Sequence, residues 1–233
     1  MLQVHKLNLK TLLNPYVLLI FSALVFSNYT DQFLQKQVED IISSKDGLSN
    51  LIWLWGFLSV LSAILFPLLI SLLCAFVLVA SPQKLGDFLA KNLELSFLET
   101  LRAWGKTFLW SFLFIIPGVI KYIDYILTPF VVMFSQRYKN GEVDALEYSA
   151  QISKKFWWNL KIWLGVFYVI IPLALYTLFD EYRVFATHPV SATAVALLES
   201  IIELLFHFII LKLFIKFLNA SENPSEAENG AYI

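Results

Sequence analysis

The sequence predicts an all-α fold, a polytopic transmembrane helical bundle of six spans with interfacial amphipathic helices between them. The first observation is composition: 58% of the 233 residues are hydrophobic and only 15% are charged, whereas about 25% of the residues of a soluble domain are charged. The second is that the apolar residues form continuous runs, which is typical of membrane helices and not of alternating β-barrel strands. The third is a net charge of −1, which with the long apolar runs excludes nucleic-acid-binding and intrinsically disordered proteins.

The six predicted spans form one transmembrane domain over residues 1–218, and the polar residues 219–233 are expected to be a disordered cytoplasmic tail. The spans cover residues 12–28, 51–80, 105–120, 121–138, 160–179 and 192–218. We expect the first span to remain as an anchor, because no A-x-A-like cleavage site follows it. The second span contains Pro67 and is longer than the ~20 residues that a bilayer requires, so it must tilt, kink or project.

Residues 107–135 allow two interpretations, one kinked helix or a hairpin that turns near Pro117–Gly118. Lys and Arg counts distinguish them, because cytoplasmic segments carry the excess of basic residues. With a hairpin and both termini inside, 13 of the 17 basic residues are cytoplasmic; with a single span, nine lie outside and Lys121 lies within the membrane. The hairpin is therefore predicted. Each of its arms is shorter than the ~20 residues expected, so it either crosses fully or enters the bilayer part way.

Three segments between the spans carry apolar residues at helical spacing. Residues 28–50 predict a short amphipathic helix outside the membrane. Residues 81–106 and 141–159 predict two helices on the cytoplasmic leaflet, with lysines near anionic headgroups. These two helices either provide a docking surface for a partner or only orient the neighbouring spans.

An internal repeat with a shift of 55 residues is also indicated. Six residues of Lys106–Pro117 recur in Lys161–Pro172, and both segments end in Ile-Ile-Pro. The match implies a chain built of helical hairpins in a parallel repeat, an arrangement that occurs in some transporters.

The strongest polar pattern within a predicted span is Glu199, Glu203 and His207, which spacing of four places on one helix face. Carboxylates at mid-membrane cost roughly 2.5–3.5 kcal/mol each on insertion scales, so they seldom lack a partner. Three interpretations remain open: part of a metal site, a proton or ion relay, or a polar contact with another span or subunit. A complete metal site is not predicted, because one helix supplies too few ligands, and no cofactor is predicted.

Lys121 and Asp124 form a second polar spot, where spacing of three allows them to pair with each other. A hairpin places this pair at its outer turn, where its charges cost little. Tyr122, Tyr125 and Thr128 extend the patch.

The chain carries a resemblance over residues 109–158. It rests on Ile116-Pro117-Gly118-Val119-Ile120, Tyr125, Thr128-Pro129-Phe130, Ala145-Leu146-Glu147, Ser153-Lys154-Lys155 and Trp157-Trp158. This pattern resembles the YciC-like bacterial integral membrane proteins and the membrane domain attached to some glycerophosphoryl diester phosphodiesterases. The resemblance implies six spans and a prokaryotic plasma membrane. It implies no reaction, since none of the phosphodiesterase catalytic residues is present.

Sequence therefore predicts a protein of the bacterial inner membrane with both termini cytoplasmic. No nucleophile elbow, zincin motif, P-loop or dinucleotide-binding fingerprint occurs, so an enzyme is not predicted. The first functional hypothesis is an accessory protein or subunit that acts through contacts with the lipid bilayer or with other membrane proteins. The alternative is a small transporter or channel with an intramembrane Glu and His path.

Overall fold

The computed structural model describes residues 14–43, 50–79, 84–179, 182 and 188–222, and this part of the chain is helical and contains no strand. Its helices, in chain order, are α1 (Pro15–Ser43), α2 (Leu51–Leu78), α3 (Leu85–Leu113), α4 (Ile115–Tyr125), α5 (Thr128–Phe134), α6 (Gln136–Lys139), α7 (Ala145–Lys155), α8 (Trp157–Gly165), α9 (Ile171–Phe179) and α10 (Pro189–Glu222). A π-helical segment, Val166–Ile170, joins α8 to α9. The all-α prediction is confirmed for these residues.

Five helical stretches among the described residues are long and apolar enough to cross a membrane. They are Pro15–Ser43, Leu51–Leu78, Ile115–Phe134, Trp157–Phe179 and Pro189–Glu222. The predicted span 105–120 is not one of them, because its residues are divided between the end of α3 and the start of α4. Transmembrane helices are thus supported, and the count of six remains a prediction.

Two predicted helix boundaries differ from the observed ones. α1 continues through Asn28 to Ser43 without interruption, so the amphipathic segment expected as a separate outer helix extends the first span. α10 continues to Glu222, four residues into the expected tail, while residues 223–233 lie outside the described part. Both extensions lack a Pro or Gly to end the helix, and helices continue where no such residue intervenes.

The chain reverses at Phe114, between α3 and α4. Phe114 is extended (φ −157°, ψ 142°), and the two helices then pack antiparallel, with Gly118 against Ser111 and Tyr122 against the ring of Trp104. We call this pair of helices the α3–α4 hairpin. The reversal lies three residues before Pro117, which is therefore the third residue of α4. The first N–H groups of a helix have no intrahelical partner, so a proline at this position costs no hydrogen bond.

The second copy of the Ile-Ile-Pro motif does not reverse. Pro172 lies in α9, directly after the π-helical segment Val166–Ile170, and the helix continues to Phe179. Pro117 and Pro172 thus each follow a departure from α-helical bonding, since neither can donate to the carbonyl four residues earlier. The same motif therefore gives a reversal in one copy and a π-helix in the other.

The core lies where α5 and α7 pack under α2 and α10. Its largest fully buried side chains include Phe208, Phe214 and Phe217 of α10 and Leu146 and Ile152 of α7. The apolar side of α7 is therefore packed on protein instead of on the leaflet surface expected for it. By contrast, Trp157–Phe179 lies at the periphery, and Leu160 and Leu164 alone are buried in this segment.

Candidate functional site

A cavity of about 390 Å³ lies between α1, α2, the α8–α9 segment and α10. We call it the acidic cavity, because three carboxylates line it and no Lys or Arg is among its described lining residues. Its polar lining residues are Ser27, Asn28, Asp31, Tyr168, Glu199, Glu203 and His207. Three carboxylates at one cavity make such a space more favourable for a cation than for an anion.

Polar side chains of α1 hold the walls of this cavity together. Asn28 Nδ2 donates to Ser200 Oγ of α10 at 3.0 Å, and Tyr29 Oη bonds Thr193 Oγ1 at 3.2 Å. Ser62 Oγ of α2 donates to Asp31 Oδ1 at 2.8 Å. Such hydrogen bonds stabilise helix packing in hydrocarbon, because a polar side chain that loses its partner there finds few others. The α1 face that includes Asp31 is therefore fixed against both α2 and α10.

His207 lies at the inner end of the acidic cavity, and its ring has a defined orientation. Nδ1 is 2.8 Å from the carbonyl oxygen of Glu203. A carbonyl only accepts, so Nδ1 carries the hydrogen, and Nε2 of the neutral ring is an acceptor. The imidazole can thus bind or release a proton at Nε2 while Nδ1 keeps its bond.

A second cavity of about 310 Å³ shares four lining residues with the acidic cavity, namely Pro67, Tyr168, Phe206 and His207. We call it the inner cavity. Its other polar lining residues are Ser71, Thr100, Thr107, Tyr122 and Tyr125. Thr100 Oγ1 is buried and has no hydrogen-bond partner among the described residues. The two cavities therefore adjoin at His207, and polar residues line both of them.

The structure brings the predicted residues Glu199, Glu203 and His207 together at one cavity. Asn28 and Asp31 of α1 line the same cavity. Sequence reasoning missed Asn28 and Asp31, because residues 28–50 were expected outside the membrane. Their spacing of three, with Ser27 beside them, was the available signal for a polar helix face.

The predicted pair Lys121 and Asp124 forms, with Lys121 Nζ 3.2 Å from Asp124 Oδ2. It does not lie at the turn, because the reversal is at Phe114, and Asp124 follows it by ten residues, about 15 Å along a helix. Asp124 is 1% exposed, and its Oδ1 has no hydrogen-bond partner in the described part of the chain. The pair is separate from the acidic cavity, although the neighbouring Tyr122 contacts Tyr168, with ring centroids 6.3 Å apart.

The backbone around Asp124 is held by α7. α4 ends at Tyr125 because Pro129, four residues on, has no N–H to donate to the Tyr125 carbonyl. Ser149 Oγ and Ser153 Oγ donate to the neighbouring carbonyl of Asp124 at 2.8 and 3.2 Å. Two buried hydroxyls therefore supply hydrogen bonds to a backbone carbonyl at the break between α4 and α5.

A charged contact ties α7 to the base of the α3–α4 hairpin. Asp144 is the N-cap of α7, where its Oδ1 accepts from the backbone N–H groups of Leu146 and Glu147. Its Oδ2 lies 2.5 Å from Arg102 Nη1 of α3. Partial burial acts to raise the pKa of Asp144, but the hydrogen bonds from Arg102 and the two N–H groups outweigh it and lower this pKa below its ordinary value.

Metal binding is not indicated in the residues that the structure describes, since no three of their His, Cys, Asp and Glu side chains are grouped to hold an ion. Comparison with known proteins gives no match to a protein-family model, to a curated protein or to a solved structure. Function must therefore be argued from the cavities and surfaces themselves.

Proposed function

We propose that this chain is a non-enzymatic integral membrane protein that binds a small cation or proton in the acidic cavity and passes it along a route through His207. One observation carries the proposal: Asp31, Glu199, Glu203 and His207, from two helices, line one cavity, and His207 also lines the next. Ionisable residues inside membrane spans are costly and commonly mark ion or proton paths.

Three features support a path in preference to a static polar contact. The acidic cavity contains space beside its carboxylates, whereas a static contact would fill it with partner atoms. His207 retains Nε2 for a proton. The π-helical segment that contains Tyr168 interrupts regular α-helical hydrogen bonding, and such segments are frequent at functional sites.

The setting that we propose is a bacterial inner membrane, with both termini cytoplasmic and six membrane segments. The α3–α4 hairpin supplies one of these segments and part of the next. Basic residues at its base, among them Arg102 and Lys106, support a cytoplasmic position for the open end.

Flux through proteoliposomes tests the proposal. The purified protein is reconstituted, and uptake of protons, K⁺ and methylammonium is measured with and without an imposed potential. We expect flux of at least one of these cations above that of empty liposomes. Glu203→Gln and His207→Ala are expected to reduce it about tenfold or more, because the first removes a cavity charge and the second removes the group that joins the cavities.

Glu39→Gln is the matched control, since Glu39 is an exposed carboxylate of α1 that lies two turns beyond Asp31 and lines neither cavity. Its flux should equal that of the unmodified protein. Flux no higher than in empty liposomes, or equal flux in the Glu203→Gln protein, would contradict the proposal.

A second function, an accessory role through contacts with lipids or other membrane proteins, is favoured by a different surface. The α8–α9 segment is exposed along nearly all its length, with Trp158, Ile162, Val169 and Leu173 among its exposed residues. Co-purification at a fixed ratio with another membrane protein, lost on Ile162→Asn but not on Glu39→Gln, would support that role.

A further inference from the structure

We propose that the groove between α4 and the junction of α7 and α8 binds the headgroup of a phospholipid that carries a primary ammonium, namely phosphoethanolamine. The groove has a volume of about 710 Å³ and is separate from the acidic and inner cavities. Its lining residues are Ile120, Asp124, Lys154, Lys155, Phe156, Trp157, Trp158 and Asn159. This site goes beyond the proposed function, and it would stand if no cation flux were found.

The groove combines two opposite charges that one zwitterion can satisfy. Lys154 and Lys155 are exposed at its rim, where ammonium groups attract a phosphate. Asp124 borders the groove as a buried carboxylate, and while Lys121 occupies Oδ2, Oδ1 has no partner among the described residues. A buried carboxylate oxygen without a donor is costly, and the ammonium of phosphoethanolamine would provide that donor.

Exposed apolar residues of α4 and α8 extend from these charges toward the tip of the hairpin, where the acyl chains of a bound lipid would lie. On α4, Ile120 and Ile116 are exposed one turn apart, and both lie toward the tip of the hairpin. On α8, Trp158 (72% exposed) and Ile162 follow each other in the same way. Both helices place their charged ends together, so their apolar faces extend from the headgroup level into the hydrocarbon.

The aromatic residues mark the headgroup level. Lys161 Nζ lies 4.2 Å from the centroid of the Trp157 ring and 5.1 Å from that of Trp158. Indoles with a cation above them are characteristic of the interface between headgroups and hydrocarbon. A soluble phosphate ester would use the charges of the groove but not its apolar walls.

The test is native mass spectrometry of the full chain in detergent with equimolar phosphatidylethanolamine, phosphatidylcholine and phosphatidylglycerol of identical acyl chains. Phosphatidylcholine is the critical comparison, because its quaternary ammonium has no N–H to donate. We expect about tenfold more bound phosphatidylethanolamine than phosphatidylcholine. Asp124→Asn should bring this ratio close to one, and Lys154→Gln with Lys155→Gln should reduce the adducts of all three lipids.

Lys84→Gln with Lys91→Gln is the matched control, since both lysines are exposed and lie outside the groove; it should leave the lipid pattern unchanged. If Asp124→Asn fails to fold, the Lys154 and Lys155 double variant carries the test alone. An equal ratio of phosphatidylethanolamine to phosphatidylcholine in the unmodified protein, preference for phosphatidylglycerol, or no effect of the double variant would overturn the proposal. Displacement of the lipid by free O-phosphoethanolamine at equal concentration would overturn it in favour of a soluble ester.

Discussion

Gly118 is a point of close approach between the backbones of α3 and α4. A Cβ atom placed there would come 2.0 Å from Ser111 Oγ and 2.7 Å from Ser111 Cα. Because the second of these atoms belongs to the backbone, a change of side-chain rotamer cannot relieve the contact. Glycine at this position therefore permits the α3–α4 hairpin to close.

We predict that Gly118→Ala destabilises the protein by about 1–3 kcal/mol, since the two helices must separate to admit the methyl group. Thermal unfolding in detergent, followed by tryptophan fluorescence, measures the change. Gly105→Ala is the control, because nothing lies within 4 Å of its Cβ position on α3. An unchanged or higher Tm for Gly118→Ala would show that the close approach is absent.

Asp144 gives the chain a defined dependence on acid. Its pKa is lower in the folded protein than in the unfolded chain, so its contribution to stability is complete above the unfolded value of ~3.9 and is lost as pH falls through the folded value. We predict that Asp144→Asn flattens the fall in Tm between about pH 5 and pH 3, because asparagine removes the charge but still caps α7.

Asp144→Ala removes the cap as well and should cost about 1 kcal/mol more than Asp144→Asn at pH 7. The effect of the charge alone should be small, since the Arg102 side chain is 45% exposed. Parallel Tm curves against pH for Asp144→Asn and the unmodified protein would contradict a lowered pKa.

At the scale of elements, α7 acts as a support for the break between α4 and α5. Replacing Ser149 and Ser153 together by alanine leaves the Asp124 carbonyl buried with neither of its two donors. We predict a loss of about 1–3 kcal/mol for this double variant in the same thermal assay. Ser22→Ala should have little effect, because its hydroxyl bonds a carbonyl within its own helix; equal losses for both would remove the special role of α7.

The elements also show what a sequence can predict here and what it cannot. The long apolar runs predicted the helices, and the spacing of four residues predicted that Glu199, Glu203 and His207 share one helix face. Both predictions succeed because they depend only on the 3.6-residue repeat of a helix. A hairpin with its turn near Pro117–Gly118 was predicted, but the observed reversal is at Phe114, because its exact position depends on the close packing of Gly118 on Ser111. The role of Asp31 was missed because the polar residues after Asn28 suggested that the first span ends there, whereas α1 continues to Ser43.

At the scale of the whole molecule, the tip of the α3–α4 hairpin indicates how the chain lies in the bilayer. Five consecutive tip residues, Phe112–Ile116, are apolar and each is 64–84% exposed. Such a tip is unfavourable in water on either side of the membrane. In hydrocarbon its backbone is nearly satisfied, because Phe114 N–H bonds Trp110 O, Gly118 N–H bonds Phe114 O, and Pro117 has no N–H.

The part of the hairpin between its tip and the charged pair Lys121 and Asp124 is also too short to cross. From Phe114 to Asp124 it extends about 15 Å, half of the ~30 Å of hydrocarbon. We therefore predict that it enters from the cytoplasmic side and returns to it, so that Asn140 is cytoplasmic and His188 periplasmic.

Single cysteines placed in a Cys74→Ala background and treated with a membrane-impermeant maleimide test this arrangement. Asn140→Cys should react only in inside-out vesicles, because the turn that follows α6 is exposed and this arrangement places it on the cytoplasmic side. His188→Cys should react only in intact spheroplasts, and Phe114→Cys in neither preparation until detergent is added. Labelling of Phe114→Cys from the periplasm would instead make the hairpin two complete spans, whereas labelling of Asn140→Cys from that side would mean that Ile115–Phe134 crosses alone and that every later helix is inverted.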